Sequence, residues 1–263
     1  MNSFKFTSSP WGFRNTPLIE QCDWLRRFGI AYICGQFSNG FKGLFEPSAT
    51  RDTLLQALET TKRYGLKYAS FNVSGDFMLD DIETQIKLCC EDITRASIFA
   101  PEVIIVFAGW QQREDAAIYS QVSYALKQIS KYASQYNLKI ALENHGGLTK
   151  TPEQINKILS NVNEPNIGVN YDPANFEMYG VDAFQALLKI DFPVVFTHFK
   201  SLRVLENRKQ YCRISQGIVD YGPILQNLKK SYHGFYAIEY EEHGDVFQGS
   251  KDDLNALKKL IIE

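Results

Sequence analysis

Several deficits narrow what this chain can be. Basic residues are not in excess: 28 Lys and Arg stand against 30 Asp and Glu, a formal net charge of -2. The pI is about 6.1. A nucleic-acid partner, which favours a clustered basic surplus, is not expected. The five cysteines form no CxxC pair and are odd in number, which argues against a disulfide framework and a zinc site. Cys89 and Cys90 fall in a helical stretch and read as buried reduced thiols. No apolar run is long enough to span a bilayer, so no membrane partner is expected. The opening MNSFKFTSS lacks the apolar stretch of a secretory signal, and a cytoplasmic protein is the expectation. Neither a GxGxxG nor a GxxxxGK loop is present, which weakens the case for an open nucleotide-binding sheet. No linker or low-complexity segment interrupts the chain.

What is present is material for one large core. The chain has 263 residues and 44% hydrophobic content, and α/β barrels reach this length as one domain. Short β-rich runs alternate with longer amphipathic stretches. The expected strands are Phe4–Thr7, Ala31–Cys34, Tyr68–Val73, Val103–Phe107, Lys139–Glu143, Ile167–Asp172, Val194–His198 and Tyr236–Tyr240. Between them, Val122, Leu126, Ile129 and Ala133 recur at helical spacing, as do Leu254, Leu257, Leu260 and Ile261. Helix starts are expected at Thr16-Pro17, at Thr151-Pro152-Glu153-Gln154 and at Ser250. Eight strand–helix units in one uninterrupted chain imply a (β/α)₈ TIM barrel, a single domain over residues 1–263.

In such a barrel, alternate strand residues face the axis, and active sites form at the C-terminal strand ends. The fifth strand puts Ala141 and Glu143 on one side, Ile140 and Leu142 on the other. The eighth sets Ala237 and Glu239 against Tyr236, Ile238 and Tyr240. The sixth sets Gly168, Asn170 and Asp172 against Ile167, Val169 and Tyr171. Each time the bulky apolar residues share a parity suited to the helices, while small or polar residues and one acid face the axis. The seventh strand ends in Thr197-His198-Phe199-Lys200. Glu143, Asp172, His198 and Glu239 should therefore converge at one barrel mouth. Three buried carboxylates need compensation. A divalent cation is one answer, and three oxygens with an imidazole suit Mn²⁺, Mg²⁺, Zn²⁺ or Co²⁺. The other answer is pairing with Lys200 and Arg213.

At these residues the chain resembles the xylose isomerase-like barrel superfamily, the sugar phosphate isomerase/epimerase group. The pieces that carry the likeness are ALENHGG, VNYDPANF, THFKS and GIVDYGPILQNLKKSYHGFYAIEYEE. The resemblance implies one metal ion, Mn²⁺ by preference, on Glu143, Asp172, His198 and Glu239. It implies that Glu143 and Glu239 also serve as acid and base. The reaction implied is isomerisation or epimerisation of a small sugar or polyol through a metal-stabilised enediolate. A homo-dimer or homo-tetramer is implied too. Endonuclease IV, in the same superfamily, adds histidines for further zinc ions. Here Asn175 stands where a second-metal histidine would, and DNA repair is not expected.

His145, Lys200, Arg213, Trp110, Asn175 and Trp11 are the substrate-binding candidates. His145 shares parity with Glu143, although a loop hydrogen bond would also explain it. Lys200 and Arg213 would hold a hydroxyl, carboxylate or phosphate unless the barrel carboxylates take them. Trp11, Phe71 and Trp110 sit at or past strand ends and would wall a sugar pocket. Asn144 is expected to face away from the site. His233 is assigned to the opposite barrel end, and Glu241 is the substitute should the Glu239 register slip by two. Two other outcomes remain open: a dehydratase of a polyol ketone, and a catalytically silent sugar-binding barrel.

Overall fold

Parallel strands and helices alternate along the computed structural model, which describes residues 4–262. The first half runs β1 (Lys5–Ser8), α1 (Leu18–Arg27), β2 (Tyr32–Gln36), α2 (Arg51–Arg63), β3 (Lys67–Asn72), α3 (Ile82–Ala96), β4 (Val103–Val106) and α4 (Ala116–Ser134). The second half continues with β5 (Lys139–Glu143), α5 (Pro152–Val162), β6 (Ile167–Tyr171), α6 (Pro173–Met178), α7 (Ala183–Lys189) and β7 (Val194–Phe199). A hairpin of β8 (Ser201–Leu205) and β9 (Arg208–Cys212) then precedes α8 (Tyr221–Leu228), β10 (Phe235–Ile238) and α9 (Val246–Ile262). No helix of the described residues is long and apolar enough to cross a membrane.

Eight strands pair in the order β1-β10-β7-β6-β5-β4-β3-β2. Every pairing between them is parallel. The seam between β1 and β2 is bridged by Thr7, whose hydroxyl donates to the Tyr32 carbonyl at 3.1 Å. The sheet is thus a nearly closed (β/α)₈ barrel. The eight expected strands are all found, with ends shifted by a residue or two. The hairpin was not expected.

Strand parity sorts the core into two layers. Ile140, Leu142, Val169, Tyr171, Tyr236 and Ile238 pack in the large cluster beneath the helices. Ala141, Phe196, Phe235 and Ala237 belong to a smaller cluster with Cys34, Ala69, Val103 and Ile105 on the barrel axis. Burying both layers is what stabilises the closed sheet.

The helix starts are set locally. Thr151 caps α5, and Gln154 reaches back to the Thr151 N–H, completing a capping box. Pro17 stands immediately before α1. Ser250 does not begin a helix. It lies buried inside α9, and Asp245 takes the capping work by accepting from the Phe247 and Gln248 N–H groups. Phe71 does not wall a pocket: its ring packs outward among Phe37, Phe45 and Phe99. Its neighbour Asn72, of opposite parity, is the residue at the barrel mouth.

Candidate metal centre and active-site pocket

Four strand ends deliver the central cluster. Glu143 closes β5, Asp172 caps α6 just after β6, His198 lies near the end of β7, and Glu239 follows β10. All four are buried, none more than 5% exposed. One ligand-type atom from each lies within 4.8 Å of every other. The sheet register brings them together: Glu143 pairs with Asn170, and His198 with Ala237. Glu239 extends the ladder by donating its N–H to the Phe199 carbonyl at 2.9 Å.

His198 Nδ1 faces both glutamates, 3.4 Å from Glu143 Oε2 and 3.4 Å from Glu239 Oε1. Asn170 Nδ2 donates to Glu143 Oε2 at 2.7 Å, and Asn175 Nδ2 to Glu143 Oε1 at 3.3 Å. Ser9 Oγ donates to Glu239 Oε1 at 2.5 Å. Asn144 does not sit idle behind the site. Its side chain donates to the Asp172 carbonyl and accepts from the Asp172 N–H, both at 2.8 Å.

Lys200, 1% exposed, projects into the same region. Its Nζ lies 2.5 Å from Glu239 Oε2, 2.5 Å from Glu241 Oε1 and 3.0 Å from Asp172 Oδ2. It also rests 4.5 Å from the centre of the Tyr211 ring. The pairing answer to the crowded acids is thus realised through Lys200.

Burial and charge pull against one another here. Burial disfavours the His198 imidazolium, yet Glu239 and Glu143 raise its pKa to about 9. Burial likewise opposes the Lys200 ammonium, and Asp172, Glu239 and Glu241 more than offset it, holding its pKa well above the usual lysine range. Burial lifts Asp172 to about 6. Burial acts the same way on Glu239, but His198 and Lys200 outweigh it and hold that carboxyl far below the usual range. Without a metal, then, two cations stand among the acids.

The donor set fits a divalent ion. Three carboxylates and one imidazole offer the mixed oxygen–nitrogen shell that Mn²⁺, Mg²⁺, Zn²⁺ and Co²⁺ accept. His198 Nε2 is buried and has no hydrogen-bond partner. A buried ring nitrogen left unpaired is costly unless a donor or a cation answers it. Asp172 Oδ2, equally buried, is answered by the Lys200 ammonium at 3.0 Å.

Above the cluster lies a cavity of about 360 Å³, lined by residues that include Trp11, Gln36, Asn72, Phe107, Trp110 and His145. Tyr211 and Glu241 complete its wall beside Glu143 and Glu239. The His145 ring sits edge-on to Phe107 and to Trp110, each at 5.3 Å, and its Nδ1 has no hydrogen-bond partner. The two glycines after His145 have φ of 90° and 53°, which lets the chain turn away from the cavity. A side chain at Gly146 would collide with the Tyr179 hydroxyl. A larger hollow of about 660 Å³ opens at the other barrel end, where His233 lies, away from the acid cluster.

The structure brings together Glu143, Asp172, His198, Glu239, Lys200, Asn175, His145, Trp110 and Trp11. It does not bring in Arg213, whose guanidinium binds Glu242 at 3.0 Å and Asp252 at 2.7 Å. Residues not singled out from sequence also border the site. Gln36, Asn72 and Phe107 follow from strand-end position, and Asn170 from its parity with Asp172. Tyr211 carried no such signal, because the β8–β9 hairpin that supplies it has no counterpart in the eightfold repeat.

The Xylose isomerase-like TIM barrel family profile matches residues 22–260. A 3-dehydroshikimate dehydratase from Bacillus anthracis is 26% identical over 257 residues, covering 86% of this chain and 88% of that one. A D-tagatose 3-epimerase-like protein superposes with a TM-score of 0.80 at 17% identity, covering 98% of each chain. A Xylose isomerase-like TIM barrel protein from Mycobacterium smegmatis, in complex with magnesium, gives 0.78 at 14% identity, covering 99% and 97%. With its barrel, its four-residue cluster and a family match across nearly the whole chain, this protein belongs to the xylose isomerase-like TIM barrel family.

Proposed function

We propose that this protein is a divalent-metal-dependent enzyme that removes a proton from the carbon next to a carbonyl in a small sugar or polyol ketone. The observation that carries the reading is how differently the two glutamates are held. Glu143 Oε2 and Glu239 Oε1 both face His198 Nδ1, on the metal side. That leaves Glu143 Oε1 and Glu239 Oε2 for proton transfer. Glu143 Oε1 has one weak donor, Asn175 at 3.3 Å. Glu239 Oε2 is held on the Lys200 ammonium at 2.5 Å. Glu143 is therefore the base, because a carboxylate oxygen already paired to a cation is a poor proton acceptor.

A divalent ion on Glu143, Asp172, His198 and Glu239 supplies Lewis acidity to the substrate carbonyl. Asn170 and Asn175 orient the Glu143 carboxylate. The aromatic faces of Trp11, Phe107 and Trp110 cover the C–H faces of the substrate and keep water from the reacting carbon. In this reading His145 and Asn72, at the cavity wall, hydrogen-bond its hydroxyls.

One free base serves an elimination. Glu143 takes the proton, the electron pair left on carbon expels a β-hydroxyl, and the proton held by Glu143 passes to that oxygen, which leaves as water. Dehydration is the outcome we favour, and the 26% identical dehydratase that spans most of this chain supports it. Isomerisation or epimerisation is the second reading. It is favoured by the position of both Glu143 and Glu239 on the wall of one cavity, as an acid/base pair sharing a substrate would require.

Incubating the metal-loaded protein with a panel of ketoses, inososes and 3-dehydroshikimate in deuterated water tests the proposal. Deuterium should enter the carbon next to the carbonyl, and a conjugated dehydrated product should form. Exchange with an epimer or aldose as sole product would transfer support to the second reading. No exchange on any substrate would leave the silent sugar-binding barrel.

A further inference from the structure

Lys200 poses a separate question. Three carboxylate oxygens from the ends of two strands, β6 and β10, converge on one point, and an ammonium occupies it. Two of the three, Asp172 and Glu239, also belong to the four-residue cluster. Carboxylates shared between neighbouring positions are how two-metal centres are assembled. Asp172 Oδ2, which accepts no hydrogen bond, points at this second position as well.

We propose that Lys200 is a built-in cation filling a second metal position made by Asp172, Glu239 and Glu241, so that the site accepts one divalent ion and no more. The proposal rests on the reading that Glu143, Asp172, His198 and Glu239 hold the first. An ammonium is suited to the task. It donates to Glu239 and Glu241, supplies the positive charge Asp172 needs, and cannot be lost to a chelator. The Tyr211 ring, 4.5 Å from Nζ, covers it on another side.

The consequence is chemical. Two metal ions can clamp the attacking and leaving oxygens of a phosphoryl displacement. One ion beside a fixed ammonium does not provide that pair of metals. Lys200 thereby withholds the two-metal clamp from this barrel and leaves it single-ion chemistry. Glu241, which takes no part in the four-residue cluster, acquires a role as the carboxylate that holds the lysine in place.

Metal stoichiometry tests this without reference to turnover. The full chain is loaded with excess Mn²⁺, desalted and analysed for manganese, and its electron paramagnetic resonance spectrum is recorded. The wild type should hold one Mn²⁺ per chain with the signal of an isolated ion. Lys200→Ala should hold two, with an exchange-coupled signal. Lys200→Ala combined with Glu241→Gln should return to one. If Lys200→Ala unfolds in chelator, refolding in Mn²⁺ should recover a folded chain carrying two ions. One ion on the folded or refolded Lys200→Ala chain, or two on the wild type, would overturn the proposal. No manganese on the wild type would overturn the metal reading beneath it.

Discussion

Asn144 grips Asp172 by its backbone in both directions, donating to its carbonyl and accepting from its N–H at 2.8 Å. This pair locks the end of β5 to the end of β6, and so fixes Glu143 relative to the Asp172 carboxylate. Asn144→Ala would leave two buried backbone groups unpaired, at a cost of about 2–4 kcal/mol. Metal affinity should fall ~10–100-fold, as for other residues that orient ligands. Thermal melts and a Mn²⁺ titration check both numbers. An unchanged metal affinity would show that Asn144 only stabilises the fold.

Glu143→Gln and Glu239→Gln should differ. On the proposed assignment Glu143→Gln removes the base, and deuterium exchange should drop by about 10²–10⁴-fold. Glu239→Gln weakens the metal site and frees Lys200, so its exchange should recover partly in excess metal while that of Glu143→Gln does not. Equal, unrecoverable losses would favour the two-base reading. Exchange rates measured across a metal titration distinguish the cases.

Divalent metal should stabilise the folded chain. At a hundredfold excess over Kd the gain is about 2.7 kcal/mol. For a chain of this size that corresponds to a rise of roughly 5–10 °C in melting temperature. Scanning in EDTA, then with Mn²⁺, Mg²⁺, Zn²⁺ or Co²⁺, reads the shift and ranks the ions. The absence of any shift with all four would remove the metal from the site.

Asp253 gives a pH signature away from the four-residue cluster. Burial raises its pKa from 3.8 to about 7, although the Ile214 N–H donates to its Oδ1 and Arg213 lies nearby; Asp252 and Glu242 add to the rise. The folded chain therefore holds a proton that the unfolded chain loses between those values. Its contribution to stability is most favourable below pH ~4, shrinks as pH rises towards about 7 and is flat above that. Asp253→Asn removes this dependence. It should gain on the wild type with rising pH, reaching about 1–3 kcal/mol at pH 8, as read by urea melts at several pH values. A constant difference between the two across pH 4–8 would contradict the assignment.

Trp110 is 52% exposed at the cavity rim, edge-on to His145. In the proposed reaction it covers the substrate and takes no part in the chemistry. Trp110→Ala should raise KM ~10-fold and change kcat by less than about threefold, because the lost contact is made equally before and during reaction. A steady-state comparison on the substrate found by exchange settles it.

The eightfold repeat and the cluster were readable before any coordinates, for one physical reason. A closed parallel sheet makes side-chain parity and strand-end position meaningful, so Ala141-x-Glu143 and Ala237-x-Glu239 announced which residues face the axis. Capping chemistry was local and equally legible at Thr151 and Gln154. Ser250 misled because its setting resembles a cap, while the packing of α9 buries it more than a turn beyond the true start at Asp245. Arg213 misled because sequence proximity to the site says nothing of which acid is nearest in space.

The sequence alone determined the barrel, the inward faces of its strands and the four metal-type residues, because each follows from a two-residue or strand–helix period. Only the tertiary structure decided how the charges pair. That Lys200 meets Asp172, Glu239 and Glu241, that Asn144 holds Asp172, and that Tyr211 swings in from a hairpin are contacts between distant segments. No periodicity encodes them. They arise where the strand ends converge, at distances of a few ångströms that closure of the sheet sets.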